Sequence, residues 1–348
     1  MKSIINSFNK LIFLEKTVLI LVLLIPFALS LSIFIADFFT SIVALIVLFW
    51  LFKNNEFLKI INNLKKPLFI ICLFYFFIIV SLIFSYDFNK SFLSSFFYFR
   101  YFFLSLAIFF LIYKFEFSKK MILFSLLILI TLISIHSFIE LLKIKNIFGL
   151  TLPPSRLNVG STYFITSFFD DEKKLGSFIV RLLPLILSLI ILLEFKIIKR
   201  INMKFLILIL AGILVTLSSE RVALFLLVFF FIFSLKILKK KILISIFSIF
   251  SVIIVSILEP KLVEKYILAT LTQFGITKSY NIFDEGKIKP VWQEINFSNV
   301  NYISEEHQKL VKSGFEIFKE NPMTGSGIKN YHRYCKNLKE KKNLDIKC

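Results

Sequence analysis

Runs of fifteen to twenty apolar residues recur between Thr17 and Leu258, each ended by a short cluster of charges. In series, such runs fit a bilayer. A helix is the element that crosses one while satisfying its own backbone segment by segment. Spans are expected at Thr17–Ile35, Phe38–Phe52, Pro67–Phe84, Phe96–Tyr113, Met121–Glu140, Ser177–Glu194, Lys204–Ser218, Val222–Leu235 and Ile242–Leu258. The expected fold class is an all-α polytopic membrane protein: about nine transmembrane helices in residues 1–258, then a partly helical external loop domain in 259–348. The first span reads as retained, because a long polar stretch precedes it and another span follows at once.

Lys and Arg set the expected orientation. With the N-terminus cytoplasmic, the pieces 1–16, 53–66, 114–120, 195–204 and 236–241 hold 18 of them, and the opposite connections 36–37 and 85–95 hold only Lys90. The formal charge of +20 therefore needs no nucleic-acid partner. Basic loops and a basic external region account for it.

Between Lys204 and Lys236 the only charges are Glu220 and Arg221. A single helix would put its two basic flanks on opposite faces, so a hairpin with its tip at Ser218–Arg221 is expected. Each leg is about 22 Å long at 1.5 Å per residue. The hydrocarbon core is about 30 Å thick, which leaves the tip inside the outer boundary of the membrane. Arg100, in FFYFRYFF, and Arg181, in GSFIVRLLP, reach a similar depth. Guanidinium groups at that depth either snorkel to headgroups or face a polar cavity, where their planar forks suit phosphate oxygens.

Other polar positions carry weaker signals. His136 and Glu140 share a helix face. Asp171 and Glu172 precede the sixth span, as helix-capping or site carboxylates. Asp37 is expected to mark a tight external turn. Cys72 reads as a small apolar residue within a span. Cys335 and Cys348 lie in the external region, where a bridge between them could persist. No Cys/His cluster has zinc spacing, and no Walker-type loop occurs. Beyond Leu258 two helices are expected, Glu259–Phe274 and Ser304–Glu320. The second carries Leu310, Val311, Phe315 and Phe318 at helical spacing and stops at Asn321-Pro322.

Three stretches carry a resemblance. SEEHQKLVKSGFEIFKENPMTGSGIKNYHRYC, TSFFDDEKKLGSFIVRLLP and LVTLSSERVAL together resemble the O-antigen ligase and O-antigen polymerase superfamily over roughly residues 160–335. The family's pattern is Phe-Asp-Glu, Leu-Gly, Arg and Leu-Pro before the sixth helix, a Ser/Gly-Glu/Ser-Arg tip, and an external helix running into Asn-Pro and Gly-x-Gly. The resemblance implies a metal-independent glycosyltransferase without cofactor, similar to the GT-C class. It would move a glycan from undecaprenyl pyrophosphate to a sugar hydroxyl, such as one on lipid A-core, at the periplasmic face of a bacterial inner membrane.

Substrate-binding residues under this reading are Arg221 first, then Arg181, with Glu220, Arg100, Asp171, Glu172, Gly325 and Gly327. The arginines would neutralise the departing pyrophosphate, and the glycine turn would shape a loop over the cavity. The family's favoured catalytic histidine sits in a His-Asn motif followed by further helices. That motif is expected beyond Cys348, so the sequence reads as a fragment, and His332 does not inherit the role. A repeat-unit polymerase or a protein O-oligosaccharyltransferase shares these features. A membrane transporter is the reading from another class, and its usual inverted repeats are not found.

Overall fold

The computed structural model describes residues 8, 11–53, 55–62, 64–141, 165–169, 174–193, 203–218, 220–234, 305–323 and 325–342. Among these every regular element is a helix. In chain order they are α1 (Phe13–Leu31), α2 (Ile33–Lys53), α3 (Asn55–Asn62), α4 (Lys65–Ile83), α5 (Phe88–Phe96), α6 (Phe99–Lys114), α7 (Glu116–Leu141), α8 (Leu175–Leu192), α9 (Met203–Leu217), α10 (Arg221–Ser234), α11 (Glu305–Glu320) and α12 (Tyr331–Lys342). Among the described residues, six apolar helical stretches are long enough to cross a membrane: α1, α2, α4, α5 with α6, α7 and α8. The protein is a multi-pass membrane protein. The expected ninth span, the helix at 259–274, and the segments holding Asp171 and Glu172 lie outside the described residues.

Helix borders follow the apolar runs closely for α4 and α6 to α10, while α5 forms in the 85–95 stretch expected to be a connection. The first connection differs. The chain turns at Ser32, in extended conformation with its N–H on the Ala28 carbonyl, rather than at 36–37. Asp37 is therefore a residue of α2 and not of a turn. A serine hydroxyl competes for backbone hydrogen bonds and favours a break, while the Asp37 carboxylate is drawn to a cation within the bundle.

Two ends of the bundle can be told apart by their cations. At one, Lys114 Nζ donates to Glu15 Oε1 at 2.9 Å and also to Glu56, tying α6 to α1 and α3. Beneath it Trp50, Phe57 and Phe110 form a buried triad with centroids 5.0–5.6 Å apart. This is the lysine end. At the other, Arg100 meets Asp37, and this is the arginine end. Helix alternation carries Glu140, the start of α8 and the α9–α10 tip to the arginine end as well. Between the two ends, Val18, Leu19, Val43, Val47, Leu126, Ile133, Ile179, Leu183 and Ala211 belong to one buried apolar core.

α4 differs from its neighbours. Only Leu82 of it is buried, and Phe69 and Ile70 lie open. Its Cys72 is a free, exposed thiol. Cys335 on α12 is buried and disulfide-bonded, and Cys348 lies outside the described residues.

Candidate functional site

A helix start leaves its first backbone N–H groups without internal partners. At α8 the residue before the helix, Lys174, offers no side-chain cap. The cap comes from another element. Glu220, at the α9–α10 tip, accepts from the Gly176 N–H at 2.7 Å through Oε1 and from the Ser177 N–H at 3.1 Å through Oε2, and the Ser177 hydroxyl also donates to it. A carboxylate there is favoured by the helix dipole too. Glu220 is buried, so this contact is a latch rather than a surface pairing.

Gly176 makes the latch possible. A Cβ at this position would fall 2.4 Å from Ser218 Oγ and 2.9 Å from Ala223 Cβ. The Leu-Gly-Ser of one stretch and the Ser-Glu-Arg-Val-Ala of another thus meet in one contact. The sequence reading grouped them only by resemblance.

Arg221 and Arg181 lie on the two helices that this contact joins, and Arg100 lies on α6. Arg221 is the first residue of α10 and follows Glu220 directly. Arg181 stands six residues inside α8, about 9 Å along its axis from Leu175. It is exposed while Ile179, Val180 and Leu183 beside it are buried. Among the described residues it makes no ion pair. Arg100 is paired: an Nη donates to Asp37 Oδ2 at 2.7 Å and to the Tyr101 hydroxyl at 3.0 Å, and that hydroxyl donates to Asp37 Oδ1 at 2.9 Å.

Glu140 repeats the logic of Glu220. Its two oxygens accept from the Thr166 N–H at 3.2 Å and the Ser167 N–H at 2.9 Å, with Ser167 at a φ of 55°. The Ile165 N–H donates to the Leu217 carbonyl at 3.2 Å, joining this segment to the end of α9. His136 packs on Phe168, 4.5 Å between ring centroids. The helix-face pair expected from sequence is here part of a seat for residues 165–169.

The glycine-rich turn is placed as well. Gly325 and Gly327 have φ of 68° and 88°, the region that favours glycine. Gly327 lies flat on the link between α4 and α5, where a Cβ would come 2.4 Å from Ser85 Cβ and 3.0 Å from Ser91 Oγ. The Tyr86 N–H donates to the Ser326 carbonyl at 3.1 Å, and the Ser91 hydroxyl to the Ile328 carbonyl at 2.9 Å. Buried Asn330 donates to Ser91 Oγ at 2.8 Å and to the Asp87 carbonyl at 3.3 Å. Arg333 pairs with the Asp87 carboxylate. Gly327 is therefore fixed to the arginine end, on the α4–α5 side, while the Gly325 N–H bonds back to the Asn321 carbonyl at 3.0 Å.

α11 and α12 then pack as a pair around Ile317, Cys335 and Leu338. The buried side of α11 is Ser313 and Ile317, whereas Val311, Phe315 and Phe318 are exposed. The apolar residues noted at helical spacing are therefore not the face that packs on α12. Tyr334 donates to Glu320 at 2.6 Å and accepts from Asn321. Burial, with that acceptor carboxylate second, holds the Tyr334 phenol above its ordinary value. The hydrogen bond from Lys342 holds the Glu320 carboxyl below its own.

Sequence reasoning missed three participants: α12, Asp87 and Asn330. α12 is strongly basic and hardly apolar, so periodicity gave it no signal. Asp87 directly precedes α5 and accepts from the Lys90 N–H at 3.2 Å, a pattern in which Asp before a short helix could have been noticed. No family model, no curated protein and no solved structure matches the chain.

Proposed function

We propose that this protein is an O-antigen ligase-like glycosyltransferase, moving a glycan from undecaprenyl pyrophosphate to a sugar hydroxyl of an acceptor such as lipid A-core. In this reading it is a nine-span protein of a bacterial inner membrane with a cytoplasmic N-terminus. The arginine end and the domain after residue 258 face the periplasm.

The observation that carries the reading is the latch. Glu220 binds the start of α8, which puts the first residue of α10 beside the helix that carries Arg181. Arg181 is exposed and without an ion pair among the described residues, though it sits within a membrane-spanning helix. Charges in such places mark functional sites by default. A pyrophosphate is the chemistry that two guanidinium forks would suit.

The acceptor oxygen attacks the anomeric carbon. A new C–O bond forms there as the bond to the pyrophosphate oxygen breaks, and a base takes the hydroxyl proton. Negative charge grows on the pyrophosphate, and Arg221 and Arg181 stabilise it in the transition state. Glu220 acts as a positioning residue, since its oxygens are engaged by α8. Arg100 is held by Asp37 and serves structure in this scheme.

The test is Arg221→Ala and Arg221→Lys in cells that depend on this protein for surface glycan, with membrane level measured alongside. Both variants should insert normally and lose transfer, lysine included, because one ammonium cannot reproduce a planar fork. Full activity in Arg221→Lys removes the pyrophosphate assignment.

A further inference from the structure

α11 carries an apolar stripe that the other described residues leave uncovered. Val311, Phe315 and Phe318 fall within an arc of about 60° at 100° per residue, and they are 62%, 56% and 56% exposed. Met323, just past the helix, is 94% exposed. The packing against α12 uses Ser313 and Ile317, on a different side of the helix. Lys312 and Lys319 border the stripe along one flank. Lys319 reaches over the Phe315 ring at 4.8 Å and makes an exposed pair with Glu316 at 2.9 Å, of the weak surface kind that a headgroup phosphate can share.

The position of the pair decides what can cover that stripe. The turn at Ser326–Ile328 and the start of α12 are hydrogen-bonded to residues 86–91, directly after membrane-spanning α4. This fixes the α11–α12 pair at the level where a bilayer passes from acyl chains to headgroups. Beside the anchor, Ile83, Phe84 and Phe88 are exposed, so the lipid-facing surface of the bundle continues up to it. A helix with an aromatic stripe and flanking lysines suits that boundary: rings enter the acyl edge and ammonium groups meet phosphates.

We propose that α11 lies on the surface of the membrane the protein spans, at the arginine end. Val311, Phe315, Phe318 and Met323 enter the leaflet, and Lys312 and Lys319 sit among its anionic headgroups. The α11–α12 pair is then held from two sides, by Gly327 and Asn330 on the bundle and by lipid beneath α11. This inference is independent of the proposed transfer reaction and needs only the membrane and the described contacts.

The experiment places the photoreactive residue p-benzoyl-phenylalanine at Phe315 of the full chain in proteoliposomes, with the same residue at lipid-facing Phe69 as the positive reference. Adducts are identified by mass spectrometry. The expected result is a lipid adduct at 315, as at 69, with its yield several-fold higher when anionic lipid is present. Lys312→Glu combined with Lys319→Glu should bring that yield down to the level seen in zwitterionic lipid. Adducts at 315 only to polypeptide, a second copy included, overturn the proposal. So does an absence of adducts at 315 while 69 labels normally, or a yield indifferent to both lipid charge and the lysine substitutions.

Discussion

The two ends of the bundle use carboxylates in opposite ways. At the lysine end, Glu15 and Glu56 converge on Lys114, so the buried charge there is neutralised within the protein. At the arginine end, Glu140 and Glu220 turn to backbone N–H groups instead. Asp37 takes Arg100, and Arg181 is left without an ion pair among the described residues. At the first end the buried carboxylate has its cation. At the other, an exposed guanidinium within a membrane-spanning helix stands near the latch, an arrangement that suits an anionic group.

Breaking the lysine end should cost the most stability. Lys114→Ala would leave Glu15, whose side chain is 5% exposed, as a buried charge without its cation. Loss of one partner of such a pair costs about 3–5 kcal/mol. Thermal unfolding in detergent should show a large fall in Tm for Lys114→Ala. Lys114→Met with Glu15→Gln should recover much of it. Equal Tm values for the two variants would mean the pairing is not what secures that end.

Breaking the latch should cost less. Glu220→Gln keeps the shape but turns an amide donor toward an N–H at the start of α8, a loss of about 2 kcal/mol for a charged hydrogen-bond acceptor. Gly176→Ala drives a methyl into Ser218 and Ala223 and should cost about 1–3 kcal/mol. The double variant should be no worse than the more damaging single one, because both remove the same contact. Full additivity in Tm would separate the two residues.

The smallest effect is expected within the α11–α12 pair, away from the latch and from Lys114. Tyr334→Phe removes the hydrogen bonds to Glu320 and Asn321 between α11 and α12, worth below about 1 kcal/mol at a half-exposed site. Glu320 has a depressed pKa, so its contribution is present above the ordinary carboxylate value and fades as the pH falls through the lowered one. Protease nicking of the α11–α12 pair should rise modestly on acidification in wild type. In Lys342→Gln, where the hydrogen bond that lowers Glu320 is gone, nicking should already be higher at neutral pH and should rise less on acidification.

These contrasts also explain which parts were legible in sequence. Apolar runs and basic loops located α4 and α6 to α10 within a few residues, because one physical demand, backbone satisfied in lipid, acts on each run separately. By contrast, α5 fell where a connection was expected. The hairpin tip at Ser218–Arg221 followed from its basic flanks. The partners of Glu220, Glu140 and Asp37 did not. Each reaches residues 26–63 positions away, and a lone carboxylate reads the same whether it meets a cation, a helix start or a substrate. The buried side of α11 was not legible for a related reason. In a soluble helix the larger apolar residues mark the core, whereas here Ser313 and Ile317 pack inward and Phe315 and Phe318 face out.

The central claim is that the arginine end offers an exposed guanidinium to a pyrophosphate, and it can be measured without turnover. Binding of undecaprenyl pyrophosphate and of undecaprenyl phosphate to the purified protein, wild type against Arg181→Gln and Arg100→Gln, reads it directly. Wild type should prefer the pyrophosphate. Arg181→Gln should lose about tenfold or more in affinity for it, the equivalent of one charge-assisted contact, and lose the preference. Arg100→Gln, whose cation already belongs to Asp37, should bind within about twofold of wild type. Unchanged binding in Arg181→Gln, or an equal loss in Arg100→Gln, would contradict the account.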